Sequence, residues 1–206
     1  MKWTKELLIE YENGVKMRFE EGLIHCPVHL SGGNEDNLIS IFEFIKPEDY
    51  VIATHRNHYH YLLKGGDPLK LDDEMAGKET GVNQGHARSM NICDPSIKFF
   101  TTAIVAGGCA IACGVALGLK KEKSTSHVYC FLGDGAEDSG HFMEAVRFGL
   151  ARKLPVTFIL EDNDNSVDST KKDRWHNYSP IIGDNVIRYT YTRRYPHVGI
   201  GKRITF

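Results

Sequence analysis

Two short loops carry the residue types that hold a metal ion against a phosphate. Gly133-Asp134-Gly135 follows the apolar run 128–132, and Asp162-Asn163-Asp164-Asn165 follows the apolar run 156–160. Between them lies an amphipathic stretch of helix length. Asp138 or Ser139 is a suitable start for it, and Phe142, Ala145, Val146 and Gly149 form one apolar stripe. The pattern is strand, loop, helix, strand, loop, a βαβ unit with both loops at the carboxyl ends of parallel strands. Open α/β sheets bind ligands at that edge. Asp134 offers a carboxylate oxygen, Asn163 a side-chain oxygen and Asn165 a backbone carbonyl. Hard oxygens of this kind suit Mg²⁺, with diphosphate oxygens and water completing an octahedron. The small residues Gly133, Gly135 and Ala136 let backbone N–H groups approach the diphosphate. Gly-Asp-Gly alone reads as a tight turn; its pairing with the Asn loop makes the metal reading the stronger one.

The elements that must position these loops follow from periodicity and punctuation. Residues 1–23 mix charged and apolar positions at helical spacing and predict a helical arm. A loop rich in Gly and His follows, then a helix over 38–45, a strand over 50–54, a loop running into a helix over 55–63, and a helix over 69–76. Residues 77–96 hold Gly77, Gly81 and Gly85 among many polar residues and predict a long surface loop, a length that is often functional. Residues 104–119 predict a buried helix, and 186–192 a last strand. No linker composition divides the chain, so residues 1–206 are expected to form one α/β domain with a parallel sheet flanked by helices.

Bulk properties narrow the function classes. The 206 residues are 25% charged and 41% hydrophobic with a formal net charge of −2, an ordinary globular profile without a nucleic-acid footprint. The most basic stretch, 188–203, centres on Arg193-Arg194 and reads as a solvated surface or a contact for an anion. Cys26, Cys93, Cys109, Cys113 and Cys130 form no disulfide framework. No stretch has the pattern of a signal peptide or the length of a membrane span, so a cytoplasmic location is the expectation. His55, His58 and His60 raise a weaker alternative, a transition-metal cluster without acidic or Cys partners nearby.

Further motifs occur in a fixed order. They are Pro27-Val28-His29-Leu30-Ser31, Thr54-His55-Arg56-Asn57-His58-Tyr59-His60 continuing to Gly65-Gly66-Asp67, Ser89-Met90, Ile104-Val105-Ala106-Gly107, and Arg193 with His197-Val198-Gly199. Together with Gly133-Asp134-Gly135 and Asn163 they resemble the alpha subunit of the thiamine diphosphate-dependent, decarboxylating dehydrogenase component of 2-oxo acid dehydrogenase complexes. Asn91, Asp162 and Pro196 depart from that family's pattern, and the chain is shorter than its alpha subunits.

The resemblance implies a thiamine diphosphate-binding fold with Mg²⁺ and roles for particular residues. His55 and Arg56 would contact the cofactor, Arg56 through its diphosphate. Ile104 and Val105 would line the wall beside the aminopyrimidine. His29 and His197 would serve as acid–base or substrate-orienting groups near the reactive carbon. The implied partners are a beta-type subunit supplying an activating glutamate within a heterotetramer, a 2-oxo acid, and a lipoyl-bearing acyltransferase. Two rivals stand beside this reading: a subunit of a transketolase-like enzyme, and a degenerate, noncatalytic cofactor-binding scaffold. A Rossmann-type nucleotide protein is disfavoured, because no G-x-G-x-x-G opens a helix.

Overall fold

A computed structural model describes residues 2–197. In chain order the elements are α1 (Lys5–Glu20), α2 (Glu35–Phe42), β1 (Tyr50–Ala53), α3 (His58–Leu63), α4 (Pro68–Ala76), β2 (Cys93–Asp94), β3 (Phe99–Thr101), α5 (Gly107–Lys121), β4 (Val128–Gly133), α6 (Asp134–Glu137), α7 (Gly140–Ala151), β5 (Val156–Asp162), β6 (Asn165–Ser166), β7 (Ser169–Thr170), α8 (Lys171–Arg174) and β8 (Val186–Thr190). They fall into two compact units. Among the described residues, the first takes 2–47, 55–101 and 192–197; the second takes 48–54 and 102–191.

The second unit carries the expected parallel sheet, with β4 paired to β1 on one side and to β5 on the other, and β5 paired to β8. The α/β class read from the sequence is therefore present. Both faces of β4 and β5 are covered, and their burial patterns are nearly continuous. Helix α7 begins where the Ser139 hydroxyl accepts from the Phe142 N–H at 3.3 Å. Its stripe Phe142, Ala145, Val146 and Gly149 is buried as expected, with Phe142 edge-on to Phe158 at 5.8 Å. Helix α5 packs through Cys109, Ala112, Cys113 and Ala116. Gly108 lets it approach the sheet, since a Cβ there would stand 3.0 Å from Ile52 Cγ2. All five cysteines are free thiols.

The first unit is helical, with a small antiparallel pair, β2 with β3. Thr4 caps α1, accepting from the Leu7 N–H, and Leu8, Glu12 and Val15 are buried along one face. Asp67 caps α4 with Pro68 at its first position, and Gly77, at φ 78°, ends it in the left-handed region. The next segment is shaped by a side chain. The Glu74 carboxylate is fully buried and accepts from four backbone N–H groups, those of Asn83 (2.6 Å), Gly85 (2.9 Å), Ala87 (2.7 Å) and Arg88 (3.0 Å).

Several boundaries differ from the sequence reading for local reasons. The helix expected from 104 starts at Gly107, because Ala106 sits at φ 55° and breaks the helical path before it. Ile104 and Val105 thus lie outside the helix and are 72% and 65% exposed, not buried. Helix α2 begins three residues earlier than expected and ends at Phe42, leaving Phe44 exposed. The loop 77–96 is not wholly at the surface: Ser89 and Ile92 are fully buried, and Cys93–Asp94 form β2. The polar stretch after Asn165 contains a two-stranded hairpin and the one-turn α8.

Replacing Glu74 with Gln leaves an NH₂ group where two of the four N–H donors now find an oxygen. Each buried donor without a partner costs about 1–3 kcal/mol. Amide hydrogen exchange over residues 81–88 should therefore accelerate by more than tenfold in Glu74→Gln while the sheet of the second unit keeps its protection. Unchanged exchange in that loop would show that the carboxylate does not organise it.

Candidate functional site

Parallel pairing places the two loops at one edge. The register runs from Val128↔Val156 to Gly133↔Glu161, so Asp134 follows β4 where Asp162 ends β5. Asp134 is 1% exposed. Its Oδ2 receives Arg174 Nη2 at 3.2 Å, and its Oδ1 is buried with no hydrogen-bond partner. Burial pushes its carboxyl above the usual range; Arg174 opposes this and the Asp162 charge adds to it. Gly135 is required where it stands, because a Cβ there would lie 2.3 Å from Ser166 Oγ. Asn163 Oδ1 accepts from the Asn165 N–H at 3.1 Å, and its Nδ2 donates to the Tyr191 hydroxyl at 3.0 Å. The loop is thus folded as an Asx turn.

The sequence reading missed the cations that meet this edge. Lys171 and Arg188 both pair with Asp162, Arg188 at 3.0 Å. Arg188 also pairs with the buried Glu137, which accepts from the Tyr178 hydroxyl and the Ile181 N–H. Arg174 bridges Asp134 and Asp138. Burial pushes the Asp162 carboxyl up, but Lys171, the Asp164 N–H and Arg188 together hold it below the usual range. The one signal in the sequence was the basic run at Lys171-Lys172-Asp173-Arg174, and nothing in it tells which carboxylates it will meet.

The donor set fits a hard divalent ion. A buried carboxylate with an oxygen lacking any partner, flanked by an amide side chain and a carbonyl-rich turn, is what Mg²⁺ takes in combination with phosphate oxygens. The Asn163 amide oxygen would have to exchange its present turn bond for the ion.

The remaining candidates lie in the first unit. His29, His55 and His197 converge, with ring centroids 4.6 Å apart for His29–His55, 5.5 Å for His29–His197 and 5.7 Å for His55–His197. Arg56 is buried; its Nη1 donates to Leu30 O at 2.6 Å and its Nη2 to His197 O at 2.7 Å. Burial, with Arg56 and the neighbouring rings adding, lowers His29 to about 4; burial, then His29 and Arg56, lowers His55 to about 3. The alternative cluster of His55, His58 and His60 does not form: His58 Nε2 bonds Ser89 Oγ at 3.0 Å, and its other nitrogen lies 3.6 Å from Glu12. Arg194 pairs with Glu35 at 3.4 Å. Val198, Gly199 and Arg203 lie outside the described residues.

Comparison with known proteins agrees with this architecture. Residues 4–182 match the family model described as the dehydrogenase E1 component. The chain belongs to that family, whose fold is a thiamine diphosphate-binding one. It is similar to the alpha subunit of acetoin:2,6-dichlorophenolindophenol oxidoreductase from Bacillus subtilis, at 33% identity over 165 residues, 78% of this chain and 50% of that relative. It is also similar to the pyruvate dehydrogenase E1 component subunit alpha of Porphyra purpurea, at 31% over 161 residues, 74% of this chain and 47% of the relative. The chain spans about half the length of the curated relatives it matches. The family match stops at residue 182, before His197.

The lowered histidines set a pH dependence. Their folded values lie below the ordinary 6.5, so between about 4 and 6.5 the unfolded chain binds protons that the native state does not. Stability contributed by these groups is lost as pH falls through that window and is fully present above it. The urea midpoint should drop from pH 7 to pH 4.5, and His55→Gln should flatten the drop. A titration by NMR in which His29 and His55 charge near pH 6.5 would contradict the burial argument.

Proposed function

We propose that this chain is an alpha-type subunit of a decarboxylating 2-oxo acid dehydrogenase that binds thiamine diphosphate with Mg²⁺. The observation that carries the reading is the buried, unpartnered Asp134 Oδ1 beside the Asn163 turn, at the carboxyl edge of a parallel sheet. Asp134, Asn163 and the Asn165 carbonyl would hold the ion, and Gly133, Gly135 and Ala136 would admit the diphosphate to the backbone N–H groups. Ile104 and Val105, both exposed, are apolar surface for the aminopyrimidine. His55 and Arg56 are assigned cofactor contacts by the family resemblance. His29 and His197 would move or hold a proton at a ring nitrogen. When bound, the cofactor supplies the electron sink for loss of carbon dioxide.

Among the described residues none is assigned the activating glutamate, so a beta-type subunit would supply it within a heterotetramer, with a lipoyl-bearing acyltransferase as acyl acceptor. A cytoplasmic location remains part of this reading. Among the described residues, no helix is long and apolar enough to cross a membrane. A noncatalytic scaffold is the second reading. It is favoured by Asp162, which Lys171 and Arg188 engage where the family pattern has an amide.

Calorimetry decides the first point. Asp134→Ala should abolish Mg²⁺-dependent thiamine diphosphate binding without unfolding the protein, and unchanged cofactor affinity would remove the site assignment. Activity decides the second. The chain alone should not decarboxylate 2-oxo acids and should do so with a beta-type partner. With that partner, His197→Ala should keep cofactor affinity and lose turnover by about 10²-fold or more, the usual worth of a positioned acid–base group. Cofactor binding with no turnover alongside any beta-type partner would favour the scaffold.

A further inference from the structure

Three imidazoles from distant stretches of chain meet in the first unit. His29 comes from the loop between α1 and α2, His55 from the segment before α3, and His197 from the chain after β8. One ring nitrogen from each lies within 4.8 Å of the other two, and among the described residues this is the group of three ligating side chains so arranged. His29 Nδ1 and His55 Nε2 are buried and make no hydrogen bond. A ring nitrogen withdrawn from water without a partner is costly.

We propose that His29, His55 and His197 form a three-histidine site for a divalent transition ion of the zinc class, built from different residues than the magnesium site around Asp134. Three nitrogens with an open fourth position are the ligand set of exchangeable zinc sites. Bonds of about 2.0–2.1 Å in a tetrahedron put ligand nitrogens about 3.3 Å apart, so the rings close by small side-chain rotations. Imidazole donors select zinc, copper or nickel over Mg²⁺ and Ca²⁺, which take oxygen.

Arg56 is both the support of this site and its limit. It is the residue after His55; it holds the carbonyl of Leu30, the residue after His29, and the carbonyl of His197 itself. One guanidinium therefore ties the three ligand-bearing segments together, as outer-shell groups do in metal centres. Its charge opposes a second cation, so the site is weaker than a closed structural zinc site. The binding does not rest on the proposed function. Its consequence does: an ion here occupies the two histidines proposed for acid–base work, and zinc would inhibit.

The test uses the metal-stripped chain with Zn²⁺ alone in competition with a chromophoric chelator, and Co²⁺ as a reporter of coordination. One equivalent should bind, and Co²⁺ should give the intense visible absorption of a four-coordinate site. His55→Gln and His197→Gln should each weaken binding by at least tenfold, while Asp134→Ala should leave it unchanged. His197→Gln keeps the test valid if His55→Gln does not fold. Absence of stoichiometric zinc binding, wild-type affinity in the histidine variants, or a six-coordinate cobalt spectrum would overturn the site. Loss of thiamine diphosphate binding in Asp134→Ala, measured separately, bears on the magnesium assignment and not on this one.

Discussion

Because β4 and β5 run parallel and in register from Val128↔Val156 to Gly133↔Glu161, the residues following each strand must emerge at the same edge. The chain has to cross back through α7 to achieve this, and right-handed crossovers make that return the standard solution. The result is a concentration of acid: Asp134, Glu137, Glu161 and Asp162 are all buried. Buried carboxylates are costly unless they are paired or hydrogen-bonded. Much of the following chain supplies those partners. The hairpin β6–β7 turns the chain so that α8 brings Lys171 to Asp162 and Arg174 to Asp134, and β8 brings Arg188 to Asp162 and Glu137. Arg188 serves two buried carboxylates at once, so the second half of this unit is held to its first by electrostatics as well as by strand pairing.

The first unit meets the same problem with backbone N–H groups as well as cations such as Arg194 on Glu35. Glu74 gathers four N–H groups of the loop after α4, and Glu12 accepts from the Ser31 N–H at 2.7 Å. Glu35 accepts from the Gly33 N–H and the Tyr59 hydroxyl. These buried acids organise loops that have little regular secondary structure. The loop holding His29 is fixed at its far end by Glu12 and Glu35, and from the other side by Arg56 on the Leu30 carbonyl. Gly32, at φ 58°, is needed there as well, because a Cβ would stand 2.8 Å from Tyr195 Cε2.

What could be read from the sequence was what local chemistry decides. The runs at 128–132 and 156–160, the Ser139 cap and the stripe of α7 all depend on neighbours within a few residues, and the structure has each of them. Glu74 was illegible: its four partners lie nine to fourteen residues downstream, and a glutamate in a helix looks the same whether it faces water or a loop. The cations of α8 and β8 were illegible for the same reason, since Arg174 meets Asp134 across 40 residues. The helical pattern continues through Ala106 to Ile104 and Val105 in the sequence but not in the structure, because the positive φ of Ala106 has no signature in the residue type. The convergence of His29, His55 and His197 depends on folding across 141 residues between Arg56 and His197, and spacing carries no trace of it.

Desolvation acts with opposite results on the two groups of candidate residues. For Asp134 it disfavours the anion, so a cation of higher charge than Arg174 that reaches the bare Oδ1 would gain more there than in water. For His29 and His55 it disfavours the cation, which leaves neutral lone pairs and no carboxylate to attract a hard ion. The oxygen edge therefore offers donors of the kind a hard divalent ion takes, while the imidazole group offers donors of the kind a borderline-soft ion takes. Burial of a few polar atoms thus separates two chemistries that net charge and composition leave indistinguishable, and it does so through partners that the fold, not the local sequence, provides.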